Sequence, residues 1–142
     1  VLRRYREATF AAIALGGSAL LNLAAKPAFA RTRPSLWDSI APELNYSFPS
    51  GHAMGSMTLA CVLVLSSWRT RWRWPVLGVM VPSVSLVALS RVYLGVHYPS
   101  DILAGWAAAM MWTVAVFLTV YRIHLRPWHQ HANTGPGRDQ LR

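Results

Sequence analysis

The chain has 142 residues, of which 54% are apolar and only 13% charged, and its 14 Lys and Arg against 5 Asp and Glu give a formal charge of +9. The charged share is about half that of a soluble globular domain, which excludes disorder and collagen and disfavours an ordinary cytosolic enzyme. A positive charge of this size often marks nucleic-acid binding, but here the cations fall between apolar blocks, which points to a membrane and to no nucleic acid.

In chain order, four stretches are free of Lys, Arg, Asp and Glu: residues 8–25, 53–68, 74–90 and 102–121. A helix needs about 20 apolar residues to cross a bilayer, with about 17 at the short end. The first and fourth stretches qualify, and the second and third need their flanks. The expectation is an all-α membrane helical bundle with about four transmembrane helices. The modest mean hydropathy of +0.28 keeps buried helices of a soluble all-α protein as the weaker alternative. Residues 1–121 then form the membrane core and 122–142 a polar, basic, flexible tail. The chain starts at Val1 with no signal-peptide layout and reads as a fragment or trimmed product. Its single cysteine, Cys61, lies in an apolar run and excludes an internal disulfide.

Charge between the blocks sets their direction. If all four span, one side carries Arg3, Arg4, Arg6, Arg69, Arg71, Arg73, Arg122, Arg126, Arg138 and Arg142, and the other only Lys26, Arg31, Arg33 and Arg91. Short loops rich in Lys and Arg stay cytoplasmic, so the termini are expected inside and residues 26–52 and 91–101 outside. The middle loop, with Trp68, Trp72 and Trp74 among its arginines, reads as a turn anchored in the headgroup layer. It is too short to form a nucleic-acid groove. His129 and His131 in the tail have no third ligand nearby and read as solvated rather than metal-binding.

Three short clusters fall on the outward side: Lys26 with Arg33-Pro34; Pro49-Ser50-Gly51-His52; and Ser90-Arg91 with His97 and Asp101. Lys26, Arg33 and Arg91 bring three cations to one face. The arginine forks suit phosphate oxygens, and lysine supplies a point charge. Ser50 and Gly51 stand where the second helix begins, where free N–H groups and the helix dipole attract an anion. Together they form an oxyanion cradle. His97, with Asp101 four residues on, fits a nucleophile whose second nitrogen is held by a carboxylate. His52 has no such partner in sequence and suits the proton donor to a leaving group.

Taken singly, each element has a structural explanation. Ser50 and Asp101 each precede an apolar span and suit helix N-caps. His52 fits an interfacial histidine, and Lys26 and Arg33 fit snorkelling headgroup anchors. Gly51 and Gly55 form a small-xxx-small pair. The joint pattern, three rare clusters in order on one membrane face, favours chemistry.

These clusters resemble the signature of the type 2 phosphatidic acid phosphatase superfamily, which also contains vanadium haloperoxidases and bacterial acid phosphatases. The resemblance covers about residues 20–110, and every motif residue is present: Lys26, Arg33, Pro34, Pro49, Ser50, Gly51, His52, Ser90, Arg91, His97 and Asp101. It implies a helical-bundle core and an integral membrane lipid phosphatase acting on a lipid phosphate monoester or diphosphate without metal or other cofactor. It further implies a phosphohistidine on His97, His52 as acid, Asp101 orienting His97, and Lys26, Arg33, Ser50, Gly51 and Arg91 on the phosphoryl group. Membrane members usually have six spans with the signature after the third, so two N-terminal helices are expected to be missing here. A lipid substrate fits the amphipathic residues Leu36, Trp37, Leu44, Tyr46 and Phe48 between Arg33 and His52. The rivals are a vanadate-dependent haloperoxidase-like enzyme and a non-catalytic anionic-lipid-binding membrane protein.

Overall fold

In a computed structural model of the chain, residues 2–34 and 45–122 are described. Among them are four helices, α1 (Leu2–Phe29), α2 (Gly51–Ser67), α3 (Arg73–Tyr93) and α4 (Pro99–Arg122), and no strand. Helix α4 takes in Arg122, one residue beyond the expected core. The remainder of the expected tail, with His129 and His131, lies outside the described residues, as do Leu36, Trp37 and Leu44.

Three helices hold segments long and apolar enough to cross a bilayer: Tyr5–Phe29, Arg73–Tyr93 and Pro99–Tyr121. The second expected span falls short. Helix α2 has 17 residues, about 26 Å at 1.5 Å per residue, against a hydrocarbon thickness of about 30 Å. Its place in the bundle accounts for this, because α2 is the central helix and packs against α1, α3 and α4. A helix packed on three neighbours is apolar around most of its surface, and α2 leaves exposed only the stripe of His52, Gly55, Leu59 and Leu63. The outside of the bundle is also apolar: Leu20, Leu23, Leu86, Leu89, Leu103 and Met111 are all well exposed. In water such a surface would aggregate, whereas in lipid it is the solvent-facing side.

One row of α1 residues at four-residue spacing faces the interior: Phe10, Ala14, Ser18, Asn22 and Lys26. Residues four apart stack on one helix face, and such rows are the ridges by which helices pack. Phe10 and Ala14 join Val62 and Val116 in a buried cluster, with Trp112, Phe117 and Tyr121 packed around it. Gly17 makes room there, since a Cβ at that position would collide with the Trp112 indole, which donates from Nε1 to the Ala14 carbonyl at 3.0 Å. Further along, Ser18 Oγ and Thr58 Oγ1 share a hydrogen bond of 2.8 Å, so two hydroxyls buried between α1 and α2 satisfy each other. A second apolar cluster, Ala53, Ala88 and Ile102 with Val92 and Trp106, lies near the opposite end. There α4 approaches α2 so closely that a Cβ on Gly105 would sit 3.0 Å from the Ser50 carbonyl oxygen.

Candidate active site

The ends of α1 and α3 and the starts of α2 and α4 meet at one end of the bundle, and two local devices shape the turns. After α3, the Gly95 N–H bonds to the Val92 carbonyl at 2.9 Å and the Val96 N–H to the Arg91 carbonyl at 3.3 Å. Gly95 has φ 68. Together these form a Schellman closure, which requires the left-handed conformation that glycine adopts without strain. The chain therefore reverses sharply, and Val96 and His97 are buried immediately after it.

Pro99 then opens α4, a first-turn position where its missing N–H costs nothing. Asp101 lies inside this first turn, not before the helix as an N-cap. Its Oδ2 accepts from the Tyr98 N–H at 2.9 Å, reaching back as the acidic member of a capping box does. Ser50 does cap α2, and its Oγ accepts from the Ala53 N–H at 3.5 Å.

Asp101 is fully buried and joins its own cluster to Ser50 of the second and to Arg31, which lies between Lys26 and Arg33 of the first. Its Oδ1 receives Arg31 Nη1 at 2.6 Å. Its Oδ2 receives the Ser47 hydroxyl in addition to the Tyr98 N–H. Its main-chain carbonyl accepts from the Ser50 N–H at 3.2 Å. The His97 ring is buried to within 1%, with Nδ1 3.6 Å from Asp101 Oδ2. That spacing suits an ion pair once the imidazole is protonated but exceeds a hydrogen bond. A buried carboxylate needs a cation and donors to offset its desolvation, and Arg31, Ser47 and Tyr98 provide them.

Arg33 does not face Asp101. It donates from Nε to the Asn45 carbonyl at 2.7 Å, from Nη1 to the Val96 carbonyl at 2.7 Å and from Nη2 to the Tyr46 carbonyl at 3.4 Å. The guanidinium thereby pins the approach to Ser47 onto the turn that carries His97. Lys26 is half-buried in the last turn of α1, which closes with an Ala30 N–H to Lys26 carbonyl bond of 3.0 Å. Gly51 begins α2, and a Cβ there would stand 3.0 Å from Asn22 Oδ1, while Asn22 Nδ2 donates to the Pro49 carbonyl at 3.2 Å. His52, one residue further, is exposed, and Arg91 is half-buried in the last turn of α3.

All eight expected site residues thus lie at one end of the bundle. Bonds or close approaches tie Arg33, Ser50, His97 and Asp101 together, while helix ends place Lys26, Gly51, His52 and Arg91. Sequence reasoning passed over Arg31 and Ser47. Arg31 carried a signal as an outward cation two residues before Arg33, whereas Ser47 carried none. A groove of about 650 Å³ between α1 and α2 runs from Leu15 to Gly51, past Ser18, Asn22 and Met54. Among the described residues, no three of His, Cys, Asp and Glu come together as a metal-binding group.

Comparison with known proteins bears on what such an end does. The family model of the PAP2 superfamily matches residues 7–125. An undecaprenyl-diphosphatase from Sulfolobus acidocaldarius is 48% identical over 62 residues, 44% of this chain and 28% of the relative. Phosphatidylglycerophosphatase B of Bacillus subtilis is 33% identical over 107 residues, 70% of this chain and 51% of the relative. The crystal structure of a transmembrane PAP2 type phosphatidylglycerolphosphate phosphatase from Bacillus subtilis superposes with a TM-score of 0.70 at 26% identity, covering 83% of this chain and 60% of that one. The chain therefore spans about half or less of the curated relatives it matches.

Proposed function

Because the chain belongs to the PAP2 superfamily and is an integral membrane protein, we propose that it hydrolyses a lipid phosphate monoester or diphosphate through a phosphohistidine on His97. The observation that carries this reading is the buried His97 with Nδ1 3.6 Å from the buried Asp101 carboxylate, beside the N-terminus of α2. Nδ1 is turned toward the Asp101 carboxylate, which stabilises the imidazolium that forms, so the Nε2 lone pair is the one that attacks phosphorus. Lys26, Arg33 and Arg91, with the Ser50 hydroxyl and the N–H groups at Gly51, neutralise the phosphoryl oxygens as charge spreads over them.

In the first displacement the N–P bond forms as the bond from phosphorus to the leaving oxygen breaks, and His52 gives that oxygen its proton. In the second, water attacks phosphorus as His52 takes its proton, the N–P bond breaks, and inorganic phosphate leaves. The relatives named as an undecaprenyl-diphosphatase and a phosphatidylglycerophosphatase support a lipid substrate of one of these kinds. The arginine distribution supports a site on the outward face with cytoplasmic termini.

The test is phosphate release in detergent, with chelator present, from a polyprenyl diphosphate and a phosphatidate side by side. His97→Ala is expected to abolish release and to prevent trapping of phosphohistidine. His52→Ala is expected to cost about 10²-fold or more on the phosphatidate, whose alkoxide needs a proton, and less on the diphosphate. Release that survives in His97→Ala would overturn the histidine mechanism. Equal losses in His52→Ala would remove His52 as the acid. Binding without release would leave a lipid-binding protein, and vanadate-dependent halide oxidation a haloperoxidase.

A further inference from the structure

We propose that Arg31 is a positioning residue for this reaction, acting through Asp101 and not through the substrate; the proposal rests on the histidine mechanism above. Holding a carboxylate plane requires anchors on both oxygens. Asp101 has the Tyr98 N–H and the Ser47 hydroxyl on Oδ2, but its only described partner on Oδ1 is Arg31, at 2.6 Å. Without that anchor, Oδ1 is a buried charged oxygen with no donor, and the carboxylate gains by turning toward one. That turn moves Oδ2 away from His97 Nδ1 and weakens its hold on the imidazolium.

Arg31 is itself held for this task. Its guanidinium lies 4.2 Å from the centre of the Tyr98 ring, and Nη1 also donates to Ser100 Oγ at 2.8 Å. Its contacts thus fall on Tyr98, just before α4, and on Ser100 and Asp101 in its first turn. The side chain is 38% exposed. Solvent therefore reaches the cation while the carboxylate stays dry, so the pair avoids the full cost of burying two charges. Arg33, two residues on, instead donates to the Asn45, Val96 and Tyr46 main-chain carbonyls. Arginine is also the residue type required, because one planar group must both stack on Tyr98 and donate to a carboxylate.

The experiment is a kinetic cycle on the whole protein in detergent with Arg31→Gln, Arg31→Lys, Asp101→Asn and the double variant Arg31→Gln/Asp101→Asn. Small displacements of a catalytic group cost about 10²-fold, so Arg31→Gln is expected to lower kcat about 10- to 100-fold with KM within about 2-fold. Arg31→Lys should recover part of the loss. On the Asp101→Asn background, Arg31→Gln should cost less than about 2-fold further, because the group it positions is already gone. A raised KM with kcat kept, or losses that multiply in the double variant, would overturn the proposal and place Arg31 on the substrate. An unchanged kcat would overturn it outright. If Arg31→Gln does not fold, the same cycle is read with Arg31→Lys. Turnover that persists in His97→Ala marks failure of the histidine mechanism, whereas His97-dependent turnover with multiplying Arg31 losses marks failure of this inference alone.

Discussion

At one end of the bundle the Phe10 ring meets Phe117 at 5.5 Å and Tyr121 at 6.2 Å, edge to face, with Trp112 filling the notch over Gly17. At the other end Asp101, Arg31, Ser47, Ser50 and Arg33 are joined by directional bonds of defined donors and acceptors. Apolar contact depends on filled volume and tolerates small shifts, while a charged bond inside a protein depends on both position and direction. The aromatic end therefore holds the helices together, and the polar end fixes a geometry that the aromatic end leaves undetermined. Stability and turnover should consequently respond to substitution at different ends.

Phe10→Ala is the strongest way to break this division. Removing a fully buried aromatic ring costs about 3 kcal/mol, read as earlier thermal unfolding in detergent. The fraction still folded at low temperature should release phosphate at close to the original rate, and an equally large loss of turnover there would show that the two ends are not separable.

The glycines sharpen the comparison, since each end has one at a helix crossing. Gly17→Ala drives a methyl group into the Trp112 indole, with an expected cost of about 2 kcal/mol and turnover kept. Gly105→Ala puts a methyl group 3.0 Å from the Ser50 carbonyl and pushes α4 from the α2 cap. The expected cost is about 1 kcal/mol, but turnover should fall about 10-fold, because the Ser50 N–H to Asp101 carbonyl bond spans that crossing. Melting curves and rates measured on the same samples decide it, and the reverse ranking would reverse the assignment of the two ends.

The smallest effect lies at the junction between α1 and Arg31. Ala30 has φ 43, a left-handed conformation costing a residue with a Cβ about 1–2 kcal/mol. Glycine relieves this and returns part of it as entropy of the unfolded chain, so Ala30→Gly should raise stability by about 0.5 kcal/mol. An unchanged kcat would separate local relief from movement of Arg31.

How much of this was legible in the sequence depended on the range of each interaction. The four helices follow from charge-free runs, and the clusters at Lys26, Ser50 and His97 fall at helix ends because the chain must turn there. The central place of α2 was not legible, since a helix apolar on every side shows no preferred face. Asp101 looked like a cap because an apolar run follows it, whereas Pro99 starts the helix two residues sooner. Arg31 read only as a charge, because its partner Asp101 is 70 residues away and no local pattern encodes the pair. Ser47 is an ordinary loop serine until the fold brings it to the same carboxylate.

The α1 ridge of Phe10, Ala14, Ser18, Asn22 and Lys26 acts as a keyed shaft. Phe10 seats one end among aromatic rings, Ser18 engages Thr58 partway along, and Lys26 emerges about 24 Å from the first key, at 1.5 Å per residue. The azimuth of the lysine is thus inherited from contacts at the far end. Adding or removing one residue between Ser18 and Asn22 would rotate everything beyond by about 100°, turning Lys26 to another face of the helix and Asn22 from Pro49 without altering a side chain at either. Along this helix, spacing is fixed by mechanics: a change of letter can be absorbed by repacking, but a change of count cannot.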